Sequence, residues 1–201
     1  MSTPLSMMRS CRIEDASRDF DLEFWQRSGP EAIFNAAWEM VVFAAELHGE
    51  ETEDSNFAQL LYLLKQHEVR YLVIGGYAVM RYTEPRYTKD LDLWVDAERE
   101  NCERLYRALA EFGAPLKDTS PADFMTYGMV HQIGVAPVRV DILTSLQGMS
   151  FPVCLERRKS EVVRGQPMHF LSLDDLIENK RRTGRPQDRI DVDALEKVRK
   201  L

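Results

Sequence analysis

A chain of 201 residues, 44% hydrophobic and 29% charged, can bury a real core and has the composition of an ordinary globular protein. Its net charge of −7 argues against a protein that coats nucleic acid through a general basic surface, though not against a local basic groove. No run of apolar residues approaches membrane-spanning length, and the first twenty residues hold no signal-peptide core. Cys11, Cys102 and Cys154 are far apart and lack metal-ligand spacing, so they read as free thiols in a reducing compartment, and the expected location is the cytoplasm.

Residues before Asp19 are polar and mixed, as in a loose arm, and Phe20, Phe24 and Trp25 suggest a short helix or extended segment on an apolar surface. From Pro30 the apolar positions Ile33, Phe34, Ala37, Trp38, Val41, Val42 and Ala45 recur at helical spacing up to Gly49. This aromatic-rich helix either packs on its own domain or serves as an oligomerising or partner-binding appendage. The acidic stretch 49–54 reads as a linker, which divides the chain into an N-terminal segment, 1–53, and a main domain, 54–201. Phe57, Leu60, Leu61 and Leu64 predict a helix leading into a strand, Tyr71 to Ile74, which stops at Gly75-Gly76. Tyr77 to Tyr82 reads as a short helix before Pro85, and Glu98 to Phe112 as a longer one closed by Gly113. Strands are expected at Val130 to Ile133 and Val138 to Leu143, as a hairpin, and a further hairpin around Gly165. Ser172 with Asp175 is a capping signal for a helix from Leu173 to Arg181, and a last short helix runs from Asp188 to Lys200.

Between the first two strands of the main domain lies the stretch that carries chemistry. Asp90 and Asp92 open the run DLDLWV, and in a strand this spacing puts both carboxylates on one face, with Leu91, Leu93 and Val95 turned toward the core. Two adjacent acids repel each other unless a cation lies between them. Gly75-Gly76 at a strand-to-helix turn can expose backbone N–H groups to a phosphate, or can simply make a tight turn that needs positive φ. Together, paired acids and a diglycine suggest a divalent metal carrying a nucleotide. Asp141 is the lone acid in the β-branched run VRVDILT; it either joins Asp90 and Asp92 at a metal or forms a salt bridge with Arg139 on its own face.

Ile74-Gly75-Gly76, then Asp90-Leu91-Asp92-Leu93 after a gap, then Asp141 on a later strand resembles the signature of the nucleotidyltransferase superfamily. The blocks YLVIGGYAVMRY, RYTKDLDLWV, PVRVDILTS and LSLDDLIENKRRTGRPQD look like small bacterial nucleotidyltransferase-like proteins related to toxins of abortive-infection and toxin–antitoxin pairs. The resemblance covers about 56–201 and none of the three acids is substituted. It implies an α+β fold, a mixed sheet flanked by helices with the acids at one sheet edge, here with an N-terminal helical appendage.

It also implies transfer of a nucleoside monophosphate from an NTP, such as ATP, to an acceptor hydroxyl with release of pyrophosphate. Asp90, Asp92 and Asp141 would be both the catalytic residues and the ligands of two Mg²⁺ ions, with Asp141 on the acceptor side. Gly75, Gly76, Lys89 and Lys180 would bind the triphosphate, with Arg86 a further candidate. Lys180 can equally be a solvated helix lysine, and Arg181, Arg182 and Arg185 either guide an acidic acceptor such as RNA or form a solvated basic end. Asp188 recurs in such relatives without an assignable role. The acceptor stays open among a protein side chain, an RNA 3′ end and a small molecule. The rival expectation is an antitoxin-like binding module without turnover, and a homodimer or partner contact through the N-terminal helix is a further one. The four histidines have no zinc-ligand spacing.

Overall fold

Tyr71, Leu72 and Val73 are all buried and form β1 (Tyr71–Val73), the strand at the middle of the domain. The structure is a computed structural model that describes residues 19–47, 55–88, 90–134, 139–163 and 165–200, of which 19–22, 41–47, 55 and 56 are described for the backbone alone. The expected N-terminal arm, the linker 49–54, Cys11 and Lys89 lie outside the described residues.

Six strands form one mixed sheet in the order β3-β4-β2-β1-β6-β5, where β2 is Asp90–Val95, β3 Val130–Ile133, β4 Arg139–Leu143, β5 Lys159–Val163 and β6 Gln166–Phe170. β1 runs antiparallel to β2 and parallel to β6, while β2 and β4 are parallel. β3 with β4 and β5 with β6 form the two expected antiparallel pairs at the ends of the sheet. Helices flank it: α1 (Asp19–Ser28), α2 (Pro30–Leu47), α3 (Ser55–Gln66), α4 (Gly75–Tyr82), α5 (Arg99–Phe112), α6 (Phe151–Glu156), α7 (Leu173–Thr183) and α8 (Pro186–Arg199). This is the α+β arrangement expected of the sequence.

Local chemistry explains the helix ends. Gly113 takes the left-handed conformation that closes α5, at φ 87°. The Ser172 hydroxyl accepts from the Asp175 backbone N–H at 3.3 Å and caps α7. Several boundaries differ from the sequence expectation: β1 ends at Val73 rather than Ile74, α5 starts at Arg99 rather than Glu98, and α8 ends at Arg199 rather than Lys200. α4 begins at Gly75 rather than Tyr77, α7 continues to Thr183, and α8 begins at Pro186 because a proline is tolerated in a helix's first turn. α6 was not expected from the sequence at all: at six residues it is too short to show a period. Its Phe151 nevertheless packs edge-on against Trp94, with ring centroids 5.1 Å apart.

α2 packs on its own domain. Ile33, Phe34, Ala37 and Trp38 are buried, while Glu31, Asn35 and Glu39 on the other side are exposed. Phe34 stacks on Tyr77 of α4 at 5.3 Å and lies 5.7 Å from Phe170 of β6, and Trp38 meets Phe57 of α3 edge-on at 5.5 Å. Gln26 of α1 donates to the Thr83 carbonyl at 2.7 Å, which ties the first helix to the end of α4. Cys102 and Cys154 are buried free thiols. Among the described residues no helix is long and apolar enough to cross a membrane. The Phe34→Ala variant is expected to lose about 3–5 kcal/mol in denaturant unfolding, whereas Glu39→Ala, on the exposed side of the same helix, is expected to change stability by less than about 0.5 kcal/mol.

Candidate active site

Parallel pairing of β2 with β4 sets Asp90 opposite Arg139 and Asp92 opposite Asp141. Each strand presents every second residue to the same face, so these four side chains form a two-by-two array of three acids and one arginine. One carboxylate oxygen from each of Asp90, Asp92 and Asp141 lies within 4.8 Å of the others. Leu91, Leu93 and Val95 on the opposite face are buried, as the alternation predicts. The acids do not sit on an edge strand: β3 continues the sheet beyond β4, and its Gln132 donates to Asp141 Oδ2 at 3.1 Å.

Asp141 converges with the other two acids and also pairs with Arg139. Arg139 Nε donates to Asp141 Oδ1 at 2.8 Å and Nη2 to Asp141 Oδ2 at 3.1 Å, while the same Nη2 reaches Asp90 Oδ2. These bonds and charges raise the Arg139 pKa above its ordinary value, the Asp141 hydrogen bond contributing most.

The diglycine borders the acids. The Ile74 backbone N–H donates to the Asp92 carbonyl at 3.0 Å and brings the turn against β2. Gly75 has φ +64°, and a β-carbon there would overlap the Asp92 carboxylate. A β-carbon at Gly76 would come 2.6 Å from Thr88 Oγ1. Close approach and positive φ therefore both require glycine at 75. Ile74, the N-cap of α4, makes no side-chain capping bond, and Ile74, Gly75 and Gly76 at the start of the helix line the cleft. The cleft has a volume of about 410 Å³ and runs from this turn past Arg86 and Thr88 over the acids. Asn179, Lys180 and Arg185 line one side of it, and Val130, Leu143 and Leu146 make an apolar end beyond Asp141.

Lys180 is not a solvated lysine: it is buried and donates to Asp188 Oδ1 at 2.8 Å, with Asp191 Oδ2 at 2.9 Å. Arg86 reaches the same Asp191 from the loop before β2, its Nη2 lying 3.2 Å from Oδ2. Burial pushes the Asp188 and Asp191 carboxyls up, but the cations outweigh it, Lys180 at Asp188 and Arg86 with Lys180 at Asp191, and both end below the usual range. Asp188 thus has a place, since it also accepts from the Arg185 N–H at 3.2 Å at the start of α8. Asp191 and Thr88 escaped the sequence reading, Asp191 because it reads as one more polar residue of an amphipathic helix and Thr88 because nothing marks it. Of the basic cluster, Arg181 pairs with Glu196, and Arg182 with Glu178 at 2.7 Å, which lowers the net charge of that end.

Burial pushes the Asp92 carboxyl up to about 7, and the neighbouring charges of Asp90 and Asp141 push it the same way, against the pull of Lys180 and Arg139. Three converging carboxylates are hard oxygen donors of the kind that suit Mg²⁺ or Mn²⁺, and the residues fit such an ion. Among the described residues no other group of acids, histidines or cysteines converges in this way.

Residues 54–201 match the family described as nucleotidyl transferase of unknown function (DUF2204), and the chain belongs to that family. It is a nucleotidyltransferase, and so a transferase enzyme. Among solved structures, the lincosamide antibiotic adenylyltransferase LnuA in its lincomycin-bound form is 14% identical, with 74% of this chain and 99% of that chain covered and a TM-score of 0.46. The Thermotoga maritima protein TM1012 is 15% identical, with 76% and 96% covered and a TM-score of 0.47. No curated protein matches the chain significantly.

The folded-state pKa of Asp92 lies above its ordinary value of 3.8, so between about 4 and 7 this carboxyl binds more protons in the metal-free fold than in the unfolded chain. The contribution of Asp92 to stability is therefore expected to fall as pH rises through that window. In EDTA, Asp92→Asn is expected to melt higher than the wild type at about pH 8 and to lose that advantage toward pH 5, by thermal denaturation.

Proposed function

We propose that the enzyme transfers a nucleoside monophosphate from an NTP, with ATP the first candidate, to an acceptor hydroxyl in a Mg²⁺-dependent reaction at Asp90, Asp92 and Asp141. The observation that supports this most is the convergence of the three carboxylates in a cleft that also meets the first turn of α4. The acceptor oxygen attacks the α-phosphorus, the bond to the bridging oxygen of the β-phosphate breaks, and pyrophosphate leaves. Mg²⁺, when bound, supplies charge stabilisation at the attacking and leaving oxygens.

In this reading Asp90 and Asp92 hold the ions. Asp141 completes the acceptor side and takes the proton of the hydroxyl, with Gln132 orienting its carboxylate. Gly75 and Gly76 admit phosphate oxygens to backbone N–H groups. Lys180 has two of its ammonium donors on Asp188 and Asp191, which leaves a third for a phosphate. Lys89 remains a phosphate candidate from its place just before Asp90.

The acceptor is a protein side chain, an RNA 3′ end or a small molecule. The ion-paired Arg181 and Arg182 favour RNA least, and the apolar end formed by Val130, Leu143 and Leu146 suits an acceptor with an apolar part. A toxin-like role in the cytoplasm is part of the proposal. So is the division into an appendage, 1–53, and a catalytic domain, 54–201, which the start of the family match at residue 54 supports. Self-association through α2 would leave Ile33, Phe34, Ala37 and Trp38 to the domain's own core, where they are buried.

Incubation with each α-labelled NTP, Mg²⁺ and total bacterial RNA and protein is the direct test. Label transferred by the wild type, lost in EDTA and absent from the Asp90→Asn/Asp92→Asn protein, is the expected outcome. No transfer, with no NTP-dependent rise in melting temperature, would favour an antitoxin-like binding module instead. Asp141→Asn is expected to slow transfer by roughly 10²–10⁴-fold without loss of fold.

A further inference from the structure

Arg139 occupies carboxylate oxygens of two of the three acids that converge at this site. It takes both oxygens of Asp141 and Oδ2 of Asp90, and so spans the two strands that carry the acids. Asp92 receives no such bond among the described residues, and its carboxylate lies against Gly75 instead. The guanidinium is the positive charge set between Asp90 and Asp141, and without it like charges on neighbouring strands would repel.

A divalent ion and a guanidinium cannot share the same lone pairs, and bringing two cations within a few ångströms of each other is unfavourable. The arginine also has somewhere to go. Its side chain is 30% exposed, it stands at the first residue of β4, and it lines the cleft of about 410 Å³. Gln132 continues to hold Asp141 Oδ2 if the arginine departs, so the carboxylate keeps its direction.

We propose that Arg139 is a displaceable counter-cation: it keeps Asp90 and Asp141 in register in the metal-free enzyme, yields them to Mg²⁺, and then turns its guanidinium to the triphosphate. The proposal rests on the metal-binding reading of the three acids. Its consequence is that metal and triphosphate reinforce each other's binding, because the metal releases the arginine that the phosphate captures. By thermodynamic linkage the effect is reciprocal. Arg139 is on this account a positioning residue in the free enzyme and a substrate-binding residue in the loaded one.

The test uses the full chain labelled with ¹⁵N, with the Arg139 Nε–H resonance identified by its absence from Arg139→Lys. On addition of MgCl₂ the resonance is expected to move toward that of a free arginine, as the backbone amides of Gly75 and Asp92 shift. A resonance that stays in place while those amides shift would overturn the proposal and leave the metal site standing. If neither responds, the metal reading falls, and the proposal with it. In calorimetry, Arg139→Gln is expected to bind Mg²⁺ alone about tenfold more tightly than the wild type, and Mg²⁺-tripolyphosphate about tenfold more weakly. Equal affinities in the two proteins would also overturn it. Tripolyphosphate carries no base, so the result is independent of which nucleotide the enzyme uses. A Mg²⁺-dependent rise in melting temperature shows that the Gln variant is folded.

Discussion

The register between β2 and β4 is the constraint on which the site depends. Parallel pairing puts Asp90 beside Arg139 and Asp92 beside Asp141, and a slip of one residue would carry Asp141 to the opposite face, among the side chains that now fill the core. That slip is prevented by packing: Leu91, Leu93, Val140 and Ile142 are all buried on the far face, and none could move without exposing apolar surface. An apolar core on one side of the sheet thus sets the geometry of a charged site on the other. Burial first, and then the charges of Asp90 and Asp141, push the Asp92 carboxyl up to about 7, and Lys180 and Arg139 offset part of that.

A second charged network holds the cleft's opposite wall. Lys180 from α7, Asp188 and Asp191 from α8 and Arg86 from the loop before β2 join three separate segments in one chain of ion pairs. Removing one partner of a buried pair leaves the other charge uncompensated, so breaking this network is costly. It joins the C-terminal helices to the loop before β2, and Lys180 and Arg86 both line the cleft that the diglycine turn borders.

The aromatic N-terminal helix plays a different part. Phe34 and Trp38 fill the space over Tyr77, Phe57 and Phe170, and so cover the outer side of α4, whose first turn borders the acids. Among the described residues none of α2 is among those lining the cleft, but the helix backs α4, whose first residues line it. Its influence on the site is through support of α4.

How much of this was legible in the residues follows from the range of each effect. Strand alternation, the helical periods of α2 and α5, the cap at Ser172 and the diglycine-to-DLD spacing are local, and each could be read from a few neighbouring positions. α6 was too short to show a period, and the ends of α4, α7 and α8 depended on packing that no local signal carries. The sequence by itself determined which side chains share a face of each strand, and so that Asp90 and Asp92 act as a pair. Only the tertiary structure decided that Asp141 lies against Asp92 and that one arginine bridges two of the acids. The same holds for Lys180, which is buried between two aspartates rather than solvated. Asp90 and Arg139 are 49 residues apart in the chain and Lys180 and Asp188 are 8 apart, and it is strand register and helix docking, not spacing along the sequence, that bring them together.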